Sequence, residues 1–375
     1  MATTLSQAAK PVPVMDLHSD ILLRVMENNV DIGAPPPWAQ VTIPTMREGH
    51  VTDQVFAVWM DPSEHKGLDA TNRALQIIDK FHQQQAKYHD QIELALTAKD
   101  AERIRKDGKI AVYLWIEGAG PINDDLALLR TFHRLGVRGM TLTWTSNLSW
   151  AGSSGDREKM GLTEFGREVV REMDRLHMIV DLSHVSDQTF YDALQVTKNP
   201  VVISHSSCRA LCSHPRDVSD DMLRALAKNG GVIGINALPE FLSDDFEKGW
   251  ELVEKSHKEE LDALKKKFNN DTANPDYREQ RRQLFVENMD PKYVVTLDTY
   301  LDHIDHAVKI AGAEHVALGA DFDGIWTFPV GLEKASKWQA VADGLRKRGH
   351  SEKVVRGIMG DNARRVFKQV LDAKD

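Results

Sequence analysis

The chain has 375 residues, 42% of them hydrophobic, with a formal charge of −9 and a pI near 5.9. That is enough apolar material for one large α/β domain or two ordinary ones, while the acidic balance argues against a nucleic-acid partner, which wants a basic face. No apolar run approaches the ~18 residues of a membrane span, and the two cysteines, Cys208 and Cys212, cannot build a disulfide framework and suit a reducing compartment.

Residues 1–13 lack a hydrophobic core of signal-peptide length, so a cytoplasmic location is expected. A periplasmic or secreted one stays open if a leader has been removed. Residues 12–20 then read as a short strand ending in Asp16-Leu17-His18-Ser19-Asp20. A second strand is expected over 54–60, followed by a helix with Leu75, Ile78 and Phe81 on one face. Thr97 caps a short helix that stops at Gly108, and residues 109–116 form a third strand ending in Glu117-Gly118. Asn123 is expected to cap a helix through Leu135, with Gly136 as its stop. Residues 139–144 make a fourth strand that closes on Trp144, and Thr163 opens the next helix.

Two apolar, β-branched runs follow, 178–184 and 201–207, and each carries a Ser-His pair: Ser183-His184 and Ser204-His205. Between them Ser186 caps a helix that Asn199-Pro200 closes off. Strand, helix and buried strand make a βαβ unit, so the strands run parallel and both imidazoles emerge at one edge, on strands about 4.8 Å apart. Residues 219–229 read as a helix and 231–237 as the seventh strand. Residues 240–290 break the rhythm: they are densely charged and read as a helical insertion around Asn269-Asn270-Asp271. A helix over 296–311, an eighth strand over 315–324 and a last helix from Asn362 to Leu371 complete the chain. Eight strands alternating with helices point to a (β/α)8 TIM barrel, a single domain over 1–375 that contains the 240–290 insertion. A doubly wound open sheet is the alternative, but the Gly-rich nucleotide loop it would carry after an early strand is missing.

In that frame His18, Asp20, Glu117, His184, His205 and Asp321 all fall at C-terminal strand ends, the catalytic face of a barrel. Alone, each has a bland reading as a packed or solvent-touching residue. Together they are three imidazoles and three carboxylates on five strands. That is too many for one four-coordinate zinc and about right for two metals bridged by a carboxylate. Asp323 is a candidate to orient a neighbour. Arg216, eleven residues past His205, is either a surface ion-pair partner or a fork for a substrate carboxylate. Cys208 and Cys212 read as free packed thiols beside an oxygen-rich ligand set. His133, His177 and His315 flank strands on the far side of the barrel.

Asp16-Leu17-His18-Ser19-Asp20, Ile116-Glu117-Gly118, Asp181-Leu182-Ser183-His184-Val185-Ser186, Ser204-His205-Ser206-Ser207, Arg216-Asp217-Val218, Asp321-Phe322-Asp323-Gly324 and Gly360-Asp361-Asn362 occur in the order seen in one family. Over almost the whole chain the sequence resembles the membrane dipeptidase (renal dipeptidase) family of the amidohydrolase superfamily. The resemblance implies a two-zinc barrel in which His18 and Asp20 hold one ion, His184 and His205 the other, and Glu117 bridges them. It further implies that Asp321 shuttles the proton of a metal-bridging hydroxide and that Arg216 receives the terminal carboxylate of a dipeptide. One departure stands out: where typical members carry a substrate-contacting histidine after strand four, this chain has Trp144. An indole donates one hydrogen bond and cannot become cationic. The implied activity is a zinc-dependent metallo-dipeptidase acting on small dipeptides. The alternative is a metal-dependent hydrolase of a related amide or lactone, and a homodimer is left open.

Overall fold

A computed structural model describes residues 10–373; of the stretch read above for a leader, residues 1–9 lie outside the described part. Its strands are β1 (Val14–Asp16), β2 (Val51–Val58), β3 (Ile92–Leu94), β4 (Ile110–Glu117), β5 (Val137–Thr141), β6 (Ile179–Asp181), β7 (Val202–Ser206), β8 (Val232–Ile235) and β9 (Val316–Leu318). All pairings are parallel, in the order β2-β1-β9-β8-β7-β6-β5-β4, and β2 pairs again with β4 from Asp53↔Ala111 to Val58↔Ile116. That last pairing closes eight strands into the expected (β/α)8 barrel, with helices around it.

β3 is an addition that the sequence reading missed. It pairs only with the first turns of β4, Ile92↔Ile110 to Leu94↔Val112, while β5 takes the upper part, Leu114 to Glu117. Three residues, of which only Ile92 is fully buried, give too short an apolar run to stand out. Three local expectations also shift. The helix Leu68–Lys87 buries Ala74, Ile77, Ile78 and Phe81 and leaves Leu75 40% exposed; Ala74, not Leu75, lies on its buried face. Asn123 ends a short turn over Gly120–Ile122 in a left-handed conformation (φ 45°), which Asn tolerates. The cap of the next helix, Leu126–Arg134, is Asp125, whose carboxylate accepts from the Ala127 amide at 2.7 Å. β5 stops at Thr141, so Trp144 stands in the loop above the strand rather than in it.

Side chains alternate along each strand. Phe56, Val112, Leu114 and Ile116 face the helices, while Val55, Tyr113, Trp115, Ile179, Val202 and Val232 fill the interior. The C-terminal helix Asn362–Leu371 adds Val366, Phe367 and Val370 to that interior group. Phe367 lies 4.8 Å from Tyr113, edge to face, and stacks 5.8 Å from Trp115. It plugs the end of the barrel away from Glu117.

Between β8 and the helix Leu297–Ala311 run three helices, Phe246–Ser256, Lys258–Lys267 and Pro275–Asn288. Trp250 and Phe285 stack at 3.7 Å to join the first and third. Asn269 and Asn270, at φ 54° and 62°, make the turn before the third. No helix among the described residues is long and apolar enough to cross a membrane.

The barrel closes most tightly where β7, β8 and the end of β9 meet. A Cβ on Gly319 would sit 1.8 Å from the Ser204 carbonyl oxygen, and one on Gly234 would sit 2.2 Å from the same atom. Backbone cannot yield there as a side-chain tip can. Gly319→Ala should therefore cost about 1–3 kcal/mol and lower the thermal midpoint. Gly120→Ala, whose Cβ would meet nothing within 4 Å, should leave it in place. Unfolding followed by circular dichroism compares the two.

Candidate metal centre

Five strands deliver the six ligand-type residues to one spot. His18 and Asp20 follow β1, Glu117 is the last residue of β4, His184 follows β6, His205 lies in β7 and Asp321 follows β9. Parallel strands in a closed barrel all end at the same rim, which is why residues spread over 300 positions converge. Two of them need a sharp turn to do so. His184 (φ 66°) and Asp321 (φ 65°) sit in the left-handed region, which disfavours side chains with a Cβ.

Glu117 is the centre of the group. Its Oε2 lies 3.2 Å from His18 Nε2, and its Oε1 lies 2.9 Å from His184 Nε2 and 3.3 Å from His205 Nε2. Asp20 Oδ2 is 3.4 Å and Asp321 Oδ1 3.8 Å from His18 Nε2. The Nε2 atoms of His184 and His205 are 2.9 Å apart. A tetrahedral ion with bonds of about 2.0–2.1 Å holds its ligand atoms about 3.3 Å from one another. Glu117, His184 and His205 match that spacing, and so do His18, Asp20 and Glu117. Nδ1 of the fully buried His18 and Oδ1 of Asp20 lack a hydrogen-bond partner, and His18 Nε2 is ringed by carboxylate oxygens at 3.2–3.8 Å. Buried polar atoms of this kind are normally satisfied, so the donor set fits two cations.

The charges are tuned against one another. Burial alone would raise Glu117, but the field of His18 and hydrogen bonds with His18, His184 and His205 hold its carboxyl well below the usual range. Burial would lower His18, yet Glu117 and Asp20 push it well above its ordinary value. His205 is held well below its ordinary value by burial and then by His18. His184 falls to about 4, first through burial and then through Arg216. Asp321 is raised well above the carboxylate range, chiefly by burial; the Asn236 amide donates to its Oδ2 at 3.2 Å.

Behind the histidines stands a residue whose role sequence reasoning did not see. Asp181 Oδ2 accepts from Ser204 Oγ (2.6 Å), Thr141 Oγ1 (2.6 Å) and Trp115 Nε1 (3.0 Å). Its Oδ1 accepts from the Ser183 and Ser204 amides at 3.0 Å each. With its own proton given to Asp181, Ser204 Oγ accepts from His205 Nδ1 at 2.7 Å. That leaves the lone pair of His205 on Nε2, aimed at Glu117. The signal was present in the sequence as a serine before each of the two histidines.

The remaining candidates are placed differently. Trp144 borders the cleft over the centre, 6.2 Å from the His184 ring and edge to face with Trp59 at 4.9 Å. A second hollow of about 640 Å³ adjoins the cleft, and Glu117 and Trp144 are among the residues that border both. Arg216 is buried and does not border the cleft: its Nη1 donates to Ser206 Oγ and its Nη2 to the His205 carbonyl at 2.7 Å, while Nε has no partner. The Asp323 carboxylate accepts from the Gln40 and Val41 amides at 3.0 and 2.8 Å, and its carbonyl accepts from Arg24 Nε at 2.7 Å. Cys208 and Cys212 are buried free thiols bonded to the carbonyls of His303 and Glu240. His315 bonds the Gly231 carbonyl at the start of the eighth strand, away from the centre.

Comparison with known proteins adds to this geometry. The sequence model of the membrane dipeptidase family (peptidase family M19) matches residues 3–375. An uncharacterised dipeptidase of Schizosaccharomyces pombe is 33% identical over 384 residues, spanning 97% of this chain and 82% of its own length. The solved metallo peptidase dipeptidase AC aligns with a TM-score of 0.78 at 24% identity, over 97% of this chain and 100% of that one. A metallo peptidase of Rhodobacter sphaeroides, liganded with a phosphinate mimic of the dipeptide L-Ala-D-Ala, aligns with a TM-score of 0.79 at 23% identity, over 96% and 100%. At such identities the two structures speak for the fold.

The bond from Ser204 can be tested apart from catalysis. Losing a group that orients a metal-bound imidazole typically costs ten- to a hundredfold in metal affinity. Ser204→Ala should lose that much in a chelator competition, with Ser213→Ala, whose hydroxyl bonds Asp244 at the surface, as the unaffected control.

Proposed function

The chain belongs to the membrane dipeptidase family (peptidase family M19) and is a metallo-dipeptidase; on that premise we propose that it works with two zinc ions, for which Glu117 would be the shared ligand, and hydrolyses dipeptides that end in a free carboxylate. The observation that carries this reading is the division of partners around Glu117: His18 at one oxygen, His184 and His205 at the other. His18 and Asp20 would hold the first ion, His184 and His205 the second. Bound zinc lowers the pKa of a water toward neutrality and polarises an amide carbonyl.

The chain's own residues supply the rest. Asp321 is the most exposed of the group's three carboxylates, all of which border the cleft, with 15% of its side chain exposed. It is placed to take the proton of the attacking water and return it to the leaving amine. Arg216 would receive the terminal carboxylate once the cleft wall yields at Phe241, whose ring centroid lies 5.8 Å from its guanidinium carbon. It is a buried guanidinium with no ion-pair partner among the described residues, an unpartnered Nε, and Asp321 and Glu117 as its nearest fields. Trp144 walls the reacting carbonyl from the second hollow, so its indole sets shape where the family usually has a titratable ring. The ligand of the Rhodobacter sphaeroides structure makes peptides with a D-configured second residue part of any substrate panel.

Three measurements bear on this. Elemental analysis should return close to two zinc equivalents per chain, and activity on dipeptides should vanish on chelation and return with zinc. Asp321→Asn should keep its zinc and lose several orders of magnitude in kcat; loss of metal with an unchanged rate per zinc would remove the proton-transfer role. Arg216→Ala should raise KM for free-acid dipeptides about ten- to a hundredfold, the worth of a charged hydrogen bond. Amidated dipeptides should not distinguish it from the wild type. Equal losses on both would favour a neutral amide or lactone substrate.

A further inference from the structure

The wall of the cleft holds two more guanidinium groups that the chemistry above does not use. Arg24 stands four residues past Asp20 in the helix Ile21–Glu27, and Arg278 comes from the helix Pro275–Asn288 that follows β8. Both meet at Trp326: the Arg24 guanidinium carbon lies 4.7 Å and that of Arg278 4.8 Å from its ring centroid. All three side chains border the same cleft of about 470 Å³ as Asp20, His184 and Asp321.

Each guanidinium is anchored through Nε alone. Arg24 Nε donates to the Asp323 carbonyl at 2.7 Å, and Arg278 Nε donates to the Thr272 carbonyl at 3.1 Å. Neither has an ion-pair partner within 4.0 Å or a bond from its Nη nitrogens among the described residues. The nearby carboxylates are committed elsewhere: Glu27 pairs with Arg73 at 3.5 Å, and Asp323 accepts from Gln40 and Val41. Asp61 and Glu64 reach the cleft from the loop after β2, on the side of Trp59. Two like charges sharing one indole repel each other, and burial adds to the cost for Arg24, which is only 6% exposed. An anion between them relieves both, and an arginine held by Nε presents its Nη fork in the geometry that a carboxylate matches.

We infer that Arg24, Arg278 and Trp326 form a recognition site for an acidic substrate side chain, so that the enzyme prefers dipeptides containing glutamate or aspartate. The inference rests on the dipeptidase reading and names the substrate class within it. It also accounts for the charged segment after β8, since Arg278 brings the second guanidinium from outside the barrel to the metal-bearing rim.

The test compares isosteres that differ only in charge. kcat/KM is measured on the zinc-loaded full chain for Glu-Ala, Gln-Ala, Ala-Glu and Ala-Gln, with the wild type, Arg278→Gln and Arg278→Lys. The wild type should prefer at least one Glu peptide to its Gln counterpart by tenfold or more. Arg278→Gln, which keeps a polar stem at a half-buried position, should bring that ratio toward one, and Arg278→Lys should restore part of it. Equal rates on Glu and Gln peptides by the wild type, or a ratio that survives Arg278→Gln, would overturn the site and leave the stack as packing. Turnover of none of the four would instead sink the dipeptidase reading. Calorimetric binding of the same peptides would then decide the acid site, which stands on a Glu preference lost in Arg278→Gln and falls on equal affinity.

Discussion

Glu117 holds an ionised carboxylate at 4% exposure among three imidazole nitrogens, and burial of that kind is tolerable only where positive charge shares the space. The demand shapes the whole rim. His18 answers it by being pushed toward its cationic form, while His205 and His184 are pushed the other way by burial. The two sides of one carboxylate therefore differ in character: an acid-rich side with Asp20 and Asp321, and an imidazole-rich side backed by Arg216. Dications on both sides, as proposed above, would meet the demand more completely than protons, because His18 Nε2 and the orphaned oxygen of Asp20 would then find partners as well.

Rigidity reaches this point from the opposite end of the barrel. Phe367 of the C-terminal helix stacks on Trp115, whose indole bonds Asp181, which holds Ser204, which holds His205. Through Asp181 the strands β4, β5, β6 and β7 are tied by side chains as well as by backbone, one turn below the ligands. Groups that must keep a fraction of an ångström in their spacing gain from such a column, since every rotamer in it is set by packing or by a bonded neighbour.

The wall of the cleft is built from other material. Trp144, Trp59, Arg278 and Trp326 all lie in segments that follow strands, and they border the cleft without joining the ligand set. Loops of this kind vary while the barrel beneath them holds still. Trp144 above β5 and the Arg278 guanidinium carried in on a helix after β8 would, on the readings proposed above, change which side chains the cleft admits while the group around Glu117 keeps its geometry.

The ligand group was legible in the sequence because each piece is local. His18-x-Asp20 comes just past one strand, Glu117 closes an apolar run, and two Ser-His pairs fall at or just past the ends of neighbouring strands of a βαβ unit. Period-two alternation and the fixed hand of parallel connections then send all of them to one rim. What windows of a few residues cannot show is which distant side chain covers which. β3 was too short to have a period of its own, and the phase of the helix Leu68–Lys87 slipped by one position because packing preferred Ala74 to Leu75. The cap of Leu126–Arg134 moved to Asp125 because Asn123 was taken by a left-handed turn. Asp181 reads as one more acid at a strand end, and only the closed barrel shows it receiving five donors. Arg216 reads equally as a surface ion-pair partner or a substrate fork, and nothing in the sequence singles out Arg278; tertiary contacts buried the first against β7 and brought the second to Trp326, 48 residues away in sequence. Sequence alone determined the alternation of strands and helices and the rim at which these residues gather, since both follow from backbone periodicity and chirality. The surroundings of each side chain were decided by the fold, because desolvation and pairing depend on neighbours that only chain closure brings together.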